Sequence, residues 1–81
     1  MRITYDVNAD AVYLYLKYPM PQDETTKVCP CELFEIGAMV NFDFDQTGML
    51  VGIEIMDART LVPEQTLREA TRLSGTRQLF R

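Results

Sequence analysis

The sequence predicts a small α+β domain, in which an antiparallel β-meander of about four strands carries a C-terminal α-helix on one face. Apolar and polar residues alternate over several segments before residue 57, which is the period of half-buried strands. Residues 63–74 instead carry apolar side chains at helical spacing. The 81 residues suffice for one domain, and a domain of this size buries only about 60% of its unfolded surface. We therefore expect a single domain over residues 1–81 with a thin core.

The first two predicted strands are joined by a turn. Residues 2–5, RITY, form the first strand. Residues 6–10, DVNAD, have turn chemistry because Asp and Asn side chains hydrogen-bond nearby backbone amides. Residues 11–18, AVYLYLKY, predict a strand rich in β-forming residues. One face of this strand carries Val12, Leu14 and Leu16, and the other carries Tyr13, Tyr15 and Lys17.

The middle of the chain is predicted to be loop-rich over residues 19–37. Two prolines and a polar run begin this segment, and Pro30 restricts residues 28–31 to a loop or an edge strand. Strands are predicted at residues 38–44 and 49–56, joined by the turn DQTG. In the second of these, alternation sets Val51, Ile53 and Ile55 opposite Leu50, Gly52, Glu54 and Met56.

The helix is predicted over residues 63–74. Pro63 suits its first turn, Glu64 suits its positive end, and Gly75 follows as a stop signal. We expect residues 76–81 to fray. The apolar stripe is thin, so one helix leaves part of the sheet uncovered and a second subunit is expected. This stripe consists of Leu67, Ala70 and Leu73.

The net charge of −4 is unevenly distributed. Residues 1–58 hold ten acidic and three basic side chains, whereas residues 59–81 hold five arginines and two glutamates. We expect the two segments to attract each other, within a chain or between subunits. Nucleic-acid binding is disfavoured, because five arginines beside an acidic body leave a weak electrostatic footprint.

The location predicted from the sequence is the cytoplasm. No apolar run approaches the roughly 20 residues of a membrane span. Residues 1–16 alternate and include Asp6 and Asp10, which argues against a signal peptide. We expect no membrane partner.

The segment DFDQTGMLVGIE has the ligand spacing of a calcium-binding EF-hand loop, with acidic side chains at Asp43, Asp45 and Glu54. An EF-hand needs a helix on each side, and the flanking residues alternate as strands do. A β-hairpin is therefore predicted, and a cation held by these three carboxylates is a weak alternative.

Cys29-Pro30-Cys31 is the other candidate metal site. One chain offers two thiols and no histidine, whereas a closed zinc site takes four ligands. Two chains of a dimer could supply four, but two free thiols in a cytosolic loop are the favoured interpretation. No cofactor is expected.

Catalysis would have to depend on carboxylates and tyrosines, since the chain has no histidine. Tyr5, Asp6, Asp10 and Tyr13 form the candidate set for a small enzyme or ligand-binding domain. Solvated turn residues are the favoured interpretation, and the sequence favours a non-catalytic protein.

An interface is predicted on the face opposite the helix. Tyr13 and Tyr15 are expected to be exposed there, and aromatic residues with methionines in one patch are typical of an interface. The predicted interface residues are Tyr13, Tyr15, Met39, Leu50, Met56, Leu67 and Leu73.

Two motifs resemble the family called domain of unknown function 2283, which consists of short bacterial proteins. The first motif comprises Tyr5, Asp6, Ala9, Asp10, Ala11, Tyr13 and Leu16. The second comprises Asp43, Asp45, Gly48, Leu50, Val51, Gly52, Ile53, Glu54, Ile55, Asp57 and Ala58. The resemblance implies a small antiparallel sheet with a helix, no established activity, and a pointer to an antitoxin-like role. We therefore predict a non-catalytic protein-interaction module, a homodimer or an antitoxin-like partner of another small protein.

Overall fold

In the computed structural model, which describes residues 1–73, six strands and two short helices follow one another along the chain. The strands are β1 (Arg2–Asp6), β2 (Ala11–Tyr15), β3 (Lys27–Leu33), β4 (Ala38–Phe44), β5 (Leu50–Met56) and β6 (Thr71–Leu73). The helices are α1 (Ala58–Leu61) and α2 (Glu64–Glu69). The predicted α+β class is confirmed.

All described strands belong to one mixed sheet, in the order β3-β4-β5-β2-β1-β6. Every neighbouring pair is antiparallel except β1 and β6, which run parallel. Neither described helix is long and apolar enough to cross a membrane.

The sheet has more strands than the meander of about four that the sequence predicts. Four predicted strands correspond to β1, β2, β4 and β5. The strand β3, which is not predicted as such, lies within the segment predicted to be loop-rich, and it is an edge strand, as Pro30 permits. The second strand ends earlier than predicted, at Tyr15 instead of residue 18.

The predicted helix over residues 63–74 is wrong in its second half. The helix α2 ends at Glu69, Ala70 is extended, and the next three residues form β6. Pairing with β1, from Thr4↔Thr71 to Asp6↔Leu73, supplies backbone partners that the outer edge of β1 would otherwise lack. The helix is therefore not C-terminal, and the predicted stop at Gly75 and frayed tail at 76–81 lie outside the described residues.

The face of Val51 also differs from the prediction. Phe44 pairs with Leu50 whereas Asp43 pairs with Gly52, so the ladder contains a register shift that leaves Val51 as an extra residue. Val51 consequently packs with the tyrosines of β2, on the face opposite Ile53.

The two helices pack on one face of the sheet and form its main core there. The buried residues of this core are Tyr5, Val12, Ala58 and Leu67, and Ile3, Leu14, Ile55, Val62 and Ala70 pack against them. These residues belong to β1, β2 and β5 or to the helical segment, so the core ends before β4.

Candidate functional site

Among residues 1–73, neither helix packs on the helix side of the sheet over β3, β4 and the start of β5. Val40 pairs with Ile55 and Phe42 pairs with Ile53, so these side chains continue the face on which the helices pack. We call this surface the open face. It consists of Cys29, Cys31, Leu33, Val40, Phe42 and Ile53, none of which belongs to the helix-covered core.

Exposed apolar side chains continue from the open face into the β3–β4 turn. Leu33, the last residue of β3, is 37% exposed, and in the turn Phe34 is 83% and Ile36 61% exposed. Glu32 and Glu35 are exposed in the same segment. An apolar surface with a charged rim is typical of a protein-interaction site.

The opposite face of the sheet contains a buried polar cluster. The Tyr13 hydroxyl donates to Asp43 Oδ2 at 2.5 Å, and the side-chain Nδ2 of Asn41 donates to Glu54 Oε1 at 3.2 Å. Asp43 is fully buried and Glu54 is 7% exposed. The other Asp43 oxygen, Oδ1, has no hydrogen-bond partner among the described residues.

Gly52 lets the Tyr13 side chain reach Asp43. These two residues lie on either side of β5, and Gly52 is the residue paired with Asp43. A Cβ atom on Gly52 would lie 2.5 Å from Tyr13 Cζ, 2.7 Å from Cε1 and still closer to the hydroxyl oxygen. The sequence interpretation missed this arrangement, although a glycine inside a strand is the signal for such a close approach.

The tyrosines of β2 are interior residues, not the exposed patch expected from alternation. Tyr13 is 5% exposed and Tyr15 is 9% exposed, and both cluster with Met20 and Val51. Their rings pack 4.7 Å apart, centroid to centroid. The segment after β2 returns over this face through Met20, which the polar composition of residues 19–27 does not reveal.

Of the other predicted interface residues, one is buried and four are partly exposed. Leu67 is buried in the helix core. Four others are partly exposed to solvent, so their place in an interface stays a prediction. They are Met39, Leu50, Met56 and Leu73.

The turn between β1 and β2 is fastened to the start of α1. The Tyr5 hydroxyl donates to Asp10 Oδ1 at 2.8 Å, and the Arg59 amide donates to the same oxygen at 3.1 Å. Burial and the neighbouring Asp10 raise the pKa of Tyr5. Asp6 accepts bonds from the backbone amides two and three residues onward. Asp6 and Asp10 therefore stabilise the turn through hydrogen bonds, which is the role of turn residues that the sequence favours for them.

The four residues proposed for an enzymatic pocket do not converge. Tyr13 pairs with Thr4, one residue before Tyr5, so the two tyrosines occupy opposite faces of the sheet. Asp10 is bonded on the Tyr5 side.

The segment that resembles an EF-hand loop forms the β4–β5 hairpin, which confirms the hairpin prediction. Asp45 Oδ1 accepts the Thr47 amide at 2.9 Å, the Thr47 hydroxyl at 2.7 Å and the Met49 amide at 3.1 Å. The hydrogen bonds from Thr47 and Met49 lower the pKa of Asp45. Gly48 closes the turn with φ 88°.

The remaining candidate ligands are dispersed. Asp43 and Glu54 lie in the buried polar cluster, while Cys29 and Cys31 are free thiols on the open face. Within residues 1–73, no group of three or more His, Cys, Asp or Glu side chains is placed to hold a metal ion. A zinc ion shared by the cysteines of two chains stays a prediction.

Comparison with known proteins gives one positive result. Neither the curated proteins nor the solved structures contain a match to this chain. A family model described as a protein of unknown function, DUF2283, matches residues 2–59. This range runs from β1 to the start of α1, and it includes the buried polar cluster and the whole open face. The match spans well over half of the chain, which therefore belongs to the DUF2283 family.

Proposed function

We propose that this protein is a non-catalytic protein-interaction module that forms a homodimer through the open face. The observation that carries the proposal is the incomplete cover of the sheet by its own helices. Val40, Phe42 and Ile53 continue an apolar face that is buried over β1 and β2, yet each of them is only half-buried. Burial of that surface by a second chain is favourable by about 25 cal/mol per Å² of apolar area.

A two-fold dimer suits this surface for two reasons. A small domain has marginal stability alone, so completing its core with a partner is a strong stabilising contribution. Face-to-face packing also avoids the free edge of β3, where Pro30 cannot donate a backbone hydrogen bond to an added strand. The proposed contact is therefore sheet face on sheet face, with Phe34 and Ile36 at its margin.

The condition of the polar side chains supports a non-catalytic role. Asp10 accepts the backbone amide of Arg59 at the start of α1, Asp45 accepts the amide of Thr47 in its own turn, and Asp43 is enclosed behind Tyr13. The two free thiols support a reducing compartment, so we keep the bacterial cytoplasm as the proposed location. In the antitoxin-like version of the proposal, another small protein occupies the same open face.

Light scattering after size exclusion tests the proposal directly. We expect the wild-type protein to have twice the 9.3 kDa mass of one chain. Leu33→Lys places a charge on the open face of β3 and should produce a folded monomer. Val28→Lys is the matched control: Val28 is also exposed on β3, at 48%, but it pairs with Asp43 and so belongs to the other face.

Three results would contradict the proposed dimer. One is a wild-type monomer at every concentration measured. Another is a dimer that Leu33→Lys leaves intact. The third is dissociation by Val28→Lys as well, which would assign the contact to the β3 edge instead of the face. Native mass spectrometry of the same samples reports any zinc bound through Cys29 and Cys31.

A further inference from the structure

We propose that a concavity at the opposite end of the sheet from β3 binds the phosphate group of a small phosphorylated molecule. The concavity has a volume of about 560 Å³ and lies among β1, α1, α2 and β6. Within the described part of the chain, three arginines line it, Arg59, Arg68 and Arg72, and each comes from a different element. A volume of this size falls within the usual range of small-molecule sites, about 300–1,000 Å³.

The three guanidinium groups retain donors for a ligand. Arg59 Nε lies 3.6 Å from Asp10 Oδ2, beyond ordinary hydrogen-bond length. Arg68 Nη1 contacts Glu64 Oε1 at 2.9 Å across one helical turn. Their side chains are 75% and 62% exposed, so both can reorient toward an anion.

Arg72 is the arginine with the greatest freedom to bind. Its guanidinium carbon lies 5.7 Å from the centroid of the Tyr5 ring, and it forms no ion pair within residues 1–73. The ring contact of this exposed side chain is weak and leaves its N–H donors available. A planar guanidinium with available N–H groups is suited to bidentate contact with phosphate.

The charge of the lining favours an anion with more than one negative charge. Among the described lining residues, one carboxylate, Glu64, accompanies the three arginines, and it contacts Arg68. The nearby Asp10 carboxylate is the ion-pair partner of Arg59, and Glu64 is that of Arg68, so among residues 1–73 the positive charge of Arg72 is the one that neither carboxylate pairs. A phosphate monoester carries close to two charges at neutral pH and therefore gains more here than a carboxylate does.

A small molecule fits this site better than a nucleic acid. The cations converge on one concavity, whereas a strand of nucleic acid requires a basic groove that follows several phosphates. Val7 and Leu67 supply apolar lining beside the arginines, and Val7 is 42% exposed. The ligand class is accordingly a phosphate monoester with an apolar portion.

A titration with inorganic phosphate tests the site, with amide chemical shifts as the readout and chloride used to hold ionic strength constant. We expect saturable changes near Arg59, Arg68 and Arg72. Arg72→Gln should weaken binding about tenfold or more, the factor expected for the loss of a hydrogen bond to a charged group. Arg72→Lys keeps the charge, loses the planar fork and should give an intermediate affinity.

Arg2→Gln is the matched control. Arg2 also lies over a tyrosine ring, at 4.8 Å from Tyr18, but it does not line this concavity. It should bind phosphate within about twofold of wild type, because long-range charge is screened by salt. Equal weakening by Arg2→Gln, or shifts that do not saturate, would overturn the site. Tighter binding of single-stranded oligonucleotides with increasing length would overturn the small-molecule assignment.

Discussion

Replacement of Gly52 by alanine perturbs one contact on which the polar face of the sheet depends. The new Cβ would overlap the Tyr13 ring, at 2.5 Å from Cζ and 2.7 Å from Cε1. The ring cannot move aside freely, since Tyr15, Met20 and Val51 pack in the same cluster. Any displacement also pulls the hydroxyl away from Asp43, its buried acceptor.

The expected destabilisation is the sum of two effects less a small compensation. Overpacking a filled interior costs about 1–3 kcal/mol, and losing a buried hydrogen bond to a charged group costs about 1.5–3 kcal/mol. Alanine is better than glycine in a strand by up to about 1 kcal/mol, which acts in the opposite direction. Gly52→Ala should therefore lower the free energy of unfolding by about 1.5–5 kcal/mol, a large part of the roughly 5–15 kcal/mol of a typical domain.

Urea unfolding followed by circular dichroism measures this loss, and a double-mutant cycle assigns its cause. Tyr13→Ala removes the side chain with which the new methyl group collides, so Gly52→Ala should cost far less in that background, with a coupling of about 1–3 kcal/mol. The single variant need not fold well for the rescue to be visible.

Gly37→Ala provides the control for glycine replacement as such. Gly37 has φ 66°, and a Cβ added there would have no atom within 4 Å, so alanine introduces only backbone strain of about 1–2 kcal/mol. That cost should be the same with or without Tyr13. If the Gly52→Ala and Tyr13→Ala effects add within about 0.5 kcal/mol, the steric explanation is wrong.

Three further predictions concern the turns. Tyr5→Phe should destabilise by about 1–3 kcal/mol in urea. The pKa of Tyr5 is raised above 10.0 in the folded protein, so its contribution to the free energy of unfolding is complete below pH 10.0 and is lost as pH rises through the folded pKa. The Tyr5→Phe variant should not show this loss of stability at high pH. The pKa of Asp45 is lowered in the folded protein, so its contribution to the free energy of unfolding is present above the unfolded pKa of 3.8 and is lost as pH falls through the folded pKa. Asp45→Ala should therefore reduce the dependence of the free energy of unfolding on pH in acid, whereas Asp45→Asn keeps an acceptor for the Thr47 amide. Asp57 has φ 53° and no side-chain cap bond. Asp57→Ala should therefore lower the free energy of unfolding, measured by thermal denaturation, by about 1 kcal/mol, and Asp57→Gly should not lower it.

Four strands could be predicted because their signals are local. β1, β2, β4 and β5 each alternate over consecutive residues, and the β4–β5 turn has Asp45 and Gly48 at the positions that a short hairpin requires. β3 gives no such signal, since most of its residues are exposed on both faces and Pro30 interrupts it. β6 is three residues long and depends on pairing with β1, and that pairing joins residues 67 positions apart, such as Thr4 and Thr71.

The buried polar cluster could be predicted only in part. Alternation correctly assigns Tyr13 and Asp43 to one face, but a polar face is ordinarily solvated, and nothing in residues 19–27 shows that Met20 returns to cover it. The register shift at Val51 is equally hidden, because it arises from the pairing of two strands. The open face was better indicated: the thin stripe of the helix implied incomplete cover, which the short α2 accentuates.

The two proposed binding surfaces lie far enough apart to be tested separately. The open face belongs to β3, β4 and β5, whereas Arg72 is on β6 at the other edge of the sheet. Sites without shared partners usually have additive effects, within about 0.5 kcal/mol. Leu33→Lys should thus dissociate the dimer and leave phosphate affinity unchanged, and Arg72→Gln should do the reverse. If Leu33→Lys abolishes phosphate binding, the anion site is completed by the partner chain, which would mean that the dimer brings opposite sheet edges together.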